Sequence, residues 1–206
     1  MLFRDRQDAA VKLAEKLAKY RGKPDVTVVA LPRGGVVLGR IVADALEAPL
    51  DLVVPRKIGA PENEEYAIGA ITETGEAVWN SAERARVSDA YAAAAMKKER
   101  TEAERRLRLY RKNRPARNLR ARTVIIVDDG IATGFTMRAA IKSIKKERPK
   151  KIVVAAPVSP SDAPEELRAE ADEVIVLATP ALFGSIGAFY EHFSQVDDDV
   201  VVRLMN

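Results

Sequence analysis

The sequence predicts an α/β domain with a doubly wound, mainly parallel sheet, and three observations predict it. Continuous apolar runs rich in β-branched residues recur at Val26–Leu31, Leu50–Val54, Thr123–Val127, Lys151–Pro157 and Glu173–Leu177. Segments with helical spacing separate most of them, and runs without polar alternation mark strands covered on both faces. Polar turns follow three of the strands, at Pro32–Gly35, Arg56–Gly59 and Asp128–Gly134. Such turns gather at the carboxyl end of an open α/β sheet, where these folds take their ligands.

The remaining elements follow in order. Asp5–Tyr20 repeats apolar residues at Ala10, Val11, Leu13, Ala14 and Leu17, which is helical spacing, and Val36–Leu46 reads as a second helix. Ala67–Thr72 and Glu76–Trp79, on either side of Glu73-Thr74-Gly75, predict a β-hairpin. Ser81–Asn113 is built from Ala, Glu, Lys and Arg and predicts one long helix, with Glu102 four residues before Arg106 as ion-pair support. Gly134–Glu147 and Asp162–Ala171 supply the last helices. We read residues 1–206 as one domain: a core over about 24–178, an inserted hairpin and helix over about 66–114, and a C-terminal hood over about 179–206.

Composition narrows the chemistry. The 206 residues are 47% hydrophobic and 31% charged, which describes a globular chain. With no cysteine, disulfides, thiolate metal sites and thiol catalysis are excluded; with His192 as the one histidine, so are serine–histidine triads. No run approaches the roughly 20 apolar residues that cross a bilayer, and the first residues mix acids and bases among the apolar ones, so the expected location is cytoplasmic and no membrane partner is expected. The net charge of +4 suits an anionic partner. Much of the excess lies between Lys97 and Arg122, but acids are interspersed and Tyr110 is its one aromatic. That stretch reads as a solvated helix face and not as a nucleic-acid surface.

The segment Val124–Met137, VIIVDDGIATGFTM, carries the chemistry. An apolar strand delivers two adjacent carboxylates, Asp128 and Asp129, then a turn of small residues and a helix start. Amides and hydroxyls around Ala132, Thr133, Gly134 and Thr136 suit an anion nest at a positive helix end. Carboxylates just before it suit vicinal hydroxyls or a hydrated Mg²⁺. Together they describe a cradle for a ribose 5-phosphate; the plainer reading is a capping turn beside an incidental acidic pair.

These residues resemble the phosphoribosyl diphosphate signature of the type I phosphoribosyltransferases. Leu31-Pro32-Arg33-Gly34-Gly35 is similar to that family's diphosphate loop, often with a strained or cis peptide, and Arg56-Lys57 to its basic pair on the same diphosphate. The resemblance covers about Val26 to Leu177. Including Arg56-Lys57-Ile58-Gly59-Ala60-Pro61 and the final Phe189-Tyr190, it is nearest to the phosphoribosyltransferase-like proteins of bacteria and archaea, whose acceptors are generally unknown.

The resemblance implies transfer of ribose 5-phosphate from Mg²⁺-bound phosphoribosyl diphosphate to a nucleobase-like acceptor. Arg33, Arg56 and Lys57 would face the leaving diphosphate with Gly34. Asp128 and Asp129 would hold ribose and metal, and Ala132, Thr133, Gly134 and Thr136 the 5-phosphate. Ala132 replaces the aspartate of 6-oxopurine salvage enzymes, and Ala156-Pro157-Val158-Ser159 lacks their lysine, which argues against that acceptor class. Gly59–Tyr66 falls where relatives carry a mobile closing loop, and reads equally as a plain surface turn before the hairpin. In the tail, Phe183 is a candidate to stack on a base, whereas Phe189 and Phe193 read rather as core residues and Tyr190 as either. The alternative is a regulatory protein that binds phosphoribosyl diphosphate or a nucleotide; the leaving-group cations favour the enzyme. Family habit and the long helix suggest a homodimer.

Overall fold

In the computed structural model, which describes residues 2–112 and 114–206, the sheet is built on the apolar runs. Its strands are β1 (Val26–Ala30), β2 (Leu50–Leu52), β6 (Thr123–Val127), β7 (Lys151–Val158) and β8 (Glu173–Ala178). They lie in the order β2-β1-β6-β7-β8 and every pairing is parallel. Register is set by side-chain alternation. Val28, Ala30, Ile125 and Val127 face one apolar cluster, with Leu13 of α1 (Arg6–Lys16) and Leu38 and Val42 of α2 (Gly34–Leu46). Val29, Leu31, Val124 and Ile126 face the other, with Met137, Ile141 and Ile144 of α5 (Phe135–Lys145) and Leu167 of α6 (Ala163–Arg168). A one-residue slip would exchange the two sets, so burial on both faces holds the pairing in place.

The chain runs from β1 to β2 on one side and returns to β6 on the other, so strand order reverses between β1 and β6. Crevices outside the carboxyl ends of strands open at such a switch point.

The inserted unit departs from expectation in two ways. In place of a two-stranded hairpin there is a three-stranded antiparallel sheet of β3 (Arg56–Ala60), β4 (Asn63–Ile71) and β5 (Ala77–Trp79). Arg56-Lys57 thus begins a strand, and the segment expected to be a mobile loop is a tight hairpin with Gly59 opposite Ala67 and Ala60 opposite Asn63. Its outer half, NEEY, has no apolar alternation and is exposed; cross-strand pairing and the neighbouring helix give it order. The expected 33-residue helix is broken into α3 (Ser81–Arg84) and α4 (Asp89–Arg111). Asn80 accepts from the amides of Ala82 and Glu83, and Ser88 accepts from that of Tyr91, so two side-chain caps start two helices. Asn113, the expected helix end, lies outside the described residues.

The basic stretch laces elements together instead of forming a uniformly solvated face. Arg111 reaches buried Asp51 and the carbonyl of Leu52. Arg117 donates to the carbonyl of Leu50 through its side chain and to Asp51 through its amide. Arg122 reaches Thr27. A C-terminal helix, α7 (Asp198–Met205), had not been expected, although its acidic first turn and the following Val-Val-Val-Arg-Leu-Met signal it. Residues 2–4 pair with 189–192 through backbone hydrogen bonds, so both ends of the chain shape the region expected to be a hood. No helix among the described residues is long and apolar enough to cross a membrane.

One ion network fastens the short 3-10 turn after α1 (Ala18–Tyr20) to the far edge of the sheet. Glu173 accepts from Tyr20, Lys151 and Lys19 at 2.6, 2.7 and 2.5 Å. Burial by itself would raise this carboxyl, but the three donors outweigh it and hold it down at about 2. A depressed carboxylate stabilises the fold above its unfolded pKa and loses that contribution as pH falls through the folded value. Stability should therefore decline between about pH 4.5 and 2. In urea titrations Glu173→Gln should flatten this acid limb by up to about 1.4 kcal/mol per pH unit.

Candidate active site

The loops leaving β1 and β6 meet at the switch point. Gly34 is packed so tightly on the acidic pair that a Cβ there would lie 1.8 Å from an oxygen of Asp129, and one on Gly35 would lie 2.9 Å from Asp128 Oδ1. Glycines are thus required where α2 begins against two carboxylates. The Pro32–Arg33 peptide is cis.

The two aspartates differ in their partners. Asp128 Oδ1 accepts from the Asp129 amide at 2.9 Å, and Asp128 forms no ion pair among the described residues. Asp129 Oδ2 accepts from Arg6 Nε at 2.7 Å, and both side chains are largely buried, at 13% and 10% exposure. Arg6 also donates to the carbonyl of Ser194 at 2.7 Å and lies over the Phe193 ring at 3.8 Å. The Tyr190 hydroxyl, deep in the core, donates to the Asp129 carbonyl at 2.6 Å. Tyr190, and not Phe189 or Phe193, is thus the fully buried aromatic of the tail.

Both aspartates are only partly exposed, and desolvation dominates. Burial pushes Asp128 well above the usual carboxylate range, the adjacent Asp129 charge adds to this, and Arg6 and Lys57 pull the other way. Burial also raises Asp129, against the opposing pull of Arg6. Asp129 is thus already paired with Arg6, whereas Asp128 has no ion pair among the described residues to compete with an incoming cation or hydroxyl.

Past the pair, Gly134 adopts φ 74° and caps α5. A Cβ there would meet nothing nearer than 4.0 Å, so the backbone conformation, not crowding, calls for glycine. No side chain caps this helix and its first turn has no acid, which leaves the positive end available to an anion.

A cavity of about 680 Å³ joins the motifs: Pro32 of the first loop, Arg56 and Lys57 of β3, and Thr136 in the first turn of α5 all line it. Ala132, Thr133 and Gly134 line a smaller hollow of about 210 Å³ beside α6. Arg33 is not in the lining; its guanidinium lies 3.7 Å from Asp198 of α7. Arg56 is held by Glu99, with Nε and Nη2 each at 2.9 Å. Phe183 packs on Phe189, 5.3 Å between ring centres, and lines neither space.

Sequence reasoning missed Arg6, Glu99 and Tyr91, and the tie from Tyr190 to Asp129. Arg6 and Asp129 are 123 positions apart and Arg56 and Glu99 are 43 apart, so no local pattern links them. Tyr91 ties α4 to the hairpin by donating to the Gly59 carbonyl at 2.8 Å.

A family model for the phosphoribosyl transferase domain matches residues 4–184. A Mycobacterium tuberculosis protein whose provisional name is phosphoribosyl transferase is 44% identical over 207 residues, covering 100% of this chain and 46% of that protein. The chain thus spans about half the length of the curated relatives it matches. The crystal structure of TT1426 from Thermus thermophilus superposes with a TM-score of 0.82 at 40% identity, covering 100% of this chain and 98% of that one. The AQ2163 protein from Aquifex aeolicus shares the fold alone, with a TM-score of 0.50 at 13% identity over 84% of this chain and 73% of that one.

Removing one member of a buried pair strands the other charge, at a cost of about 3 kcal/mol. Arg6→Met should lower the unfolding free energy by about that amount at pH 7. Asp129→Asn added to it should restore part of the loss, because no charge is then stranded. Urea denaturation of the single and double variants measures this coupling, and strictly additive losses would disprove it.

Proposed function

This chain belongs to the phosphoribosyl transferase family, and from that premise we propose that it is a pentosyltransferase that takes phosphoribosyl diphosphate as donor. In this reading ribose 5-phosphate passes to a nitrogenous base and diphosphate leaves. The observation that carries it is the convergence of Pro32, Arg56, Lys57 and Thr136 on one cavity, whose lining omits Asp128 and Asp129 although the charge of Lys57 reaches Asp128.

At C1 of the ribose the bond to diphosphate breaks as a bond to a ring nitrogen of the acceptor forms. Negative charge grows on the leaving group, and cations fixed before the reaction lower that barrier. Lys57 and Arg56 are assigned to the diphosphate, with Gly34 and the loop amides; the pairing of Arg56 with Glu99 holds its guanidinium in one place. Arg33, resting against Asp198, would have to leave that contact to take the same role. Asp128 would accept from a ribose hydroxyl, as would the oxygen of Asp129 that Arg6 does not hold. Thr133, Gly134 and Thr136, with Ala132, would bind the 5-phosphate at the uncapped end of α5. Phe183 would need to swing from Phe189 to reach an acceptor.

The donor set fits Mg²⁺ of the kind carried in by a substrate. No group of three metal-binding side chains occurs among the described residues, and Mg²⁺ commonly keeps its waters and binds one or two carboxylates plus substrate phosphates. Asp128, with no competing ion pair, is the better protein ligand and Asp129 the second. Bound there, the metal would neutralise diphosphate charge. We assign the activity to residues 1–206 folded as one unit, acting in the cytoplasm, with a homodimer as the assembly.

The decisive experiment follows diphosphate release from phosphoribosyl diphosphate and Mg²⁺ with a panel of purine, pyrimidine and pyridine bases. Turnover with one base supports transfer; tight donor binding without turnover supports a regulatory binding protein instead. Joint Asp128→Asn and Asp129→Asn replacement should weaken donor binding at least several-fold in calorimetry, and unchanged binding refutes their role. Lys57→Met should lower kcat by about 100-fold, the scale of losing one preorganised electrostatic donor.

A further inference from the structure

We propose that Arg106, on the inserted helix α4, is a further cation for the leaving diphosphate. This rests on the donor reading above and gives the helix a part in the site.

Arg106 lines the same cavity as Pro32, Arg56 and Lys57, although it lies in a different element from all of them. Its side chain is 19% exposed, and Nε donates to Glu102 at 2.7 Å, one turn earlier on the helix. Among the described residues Nη1 and Nη2 make no hydrogen bond, and no buried side-chain nitrogen lacks a partner. The two terminal nitrogens therefore keep contact with solvent. An arginine this enclosed, gripped at one nitrogen and open at the other two, presents a planar fork suited to two oxygens of one phosphate group.

Two of the neighbouring cations are more fully engaged, whereas Lys57 has no ion pair among the described residues. Arg56 gives two nitrogens to Glu99, and Lys98 is paired with Glu64 at 2.8 Å. Glu102 is shared, since it also receives Nε and Nη2 of Arg105 at 2.7 and 2.9 Å. Arg106 thus shares its one carboxylate with Arg105, which lies 3.9 Å from Asp198 as well. Arg105 itself is 52% exposed and does not line the cavity. The helix places one arginine inward and its neighbour outward from the same anchor, which supplies an internal control.

Calorimetry on the full chain tests this with inorganic diphosphate plus Mg²⁺ and, separately, ribose 5-phosphate. Arg106→Met should weaken diphosphate binding about ten-fold, the equivalent of one charge-assisted hydrogen bond, and leave ribose 5-phosphate binding unchanged. Arg105→Met should change neither. If Arg106→Met does not fold, Arg106→Lys carries the test: an ammonium cannot span two oxygens, so a loss of about three-fold is expected. Diphosphate binding that matches wild type in these Arg106 variants overturns the proposal. So does equal loss of both ligands. If the wild-type chain binds neither probe, the donor reading itself falls and the assignment of Arg106 falls with it.

Discussion

Parallel pairing of β1 with β6 is the constraint on which the remaining structure depends. Val26–Ala30 against Thr123–Val127 brings together two chain segments nearly a hundred residues apart, and both are buried on both faces. Each fully buried Val or Ile contributes about 1.5–3 kcal/mol, so the pairing is held by hydrophobic burial. Charged groups are thereby expelled to the strand ends. Asp128 and Asp129 are the first residues after β6, and the Pro32–Gly35 loop begins just after β1; one backbone register brings an acidic pair and a glycine turn into contact.

Contact at that point leaves little tolerance. The space that Gly34 leaves open is filled by an Asp129 oxygen, whose charge is met by Arg6 from the first helix. Arg6 in turn is held by the Ser194 carbonyl and Phe193, while Tyr190 holds the Asp129 backbone. The acidic pair thereby links the start of the chain to the tail. The pair proposed to recognise ligand is also a fastening of the fold, so its ionisation and its position are set by the same neighbours.

The inserted unit obeys a different logic. Its small sheet has a core of only a few residues, Ile58, Ile68 and Ile71 with partly buried neighbours. Polar ties complete it: Thr74 bridges Thr72 and Ser143, and buried Glu76 meets Lys142 and Lys146 of α5 and the turn after it. Ties of this kind join residues far apart in sequence and leave no periodic trace. That is why Arg56-Lys57 read as a turn and Gly59–Tyr66 as a loop, although both belong to one antiparallel sheet. The break after Arg84 was legible in Asn80 and Ser88, but the Ala-, Glu- and Arg-rich composition around them masked two ordinary caps.

The sequence by itself determined the strand–helix rhythm, the parallel sheet and the three polar segments of the cleft, because these depend on hydrophobic periodicity and turn chemistry within a few residues of each position. Only the tertiary structure decided how those segments are used. It separated Arg33 and Phe183 from the cavity, gave Asp129 and Arg56 their counter-charges, and turned Arg106 inward. Those outcomes depend on through-space electrostatics and packing between segments tens to more than a hundred positions apart, and such distances are created only when the chain folds.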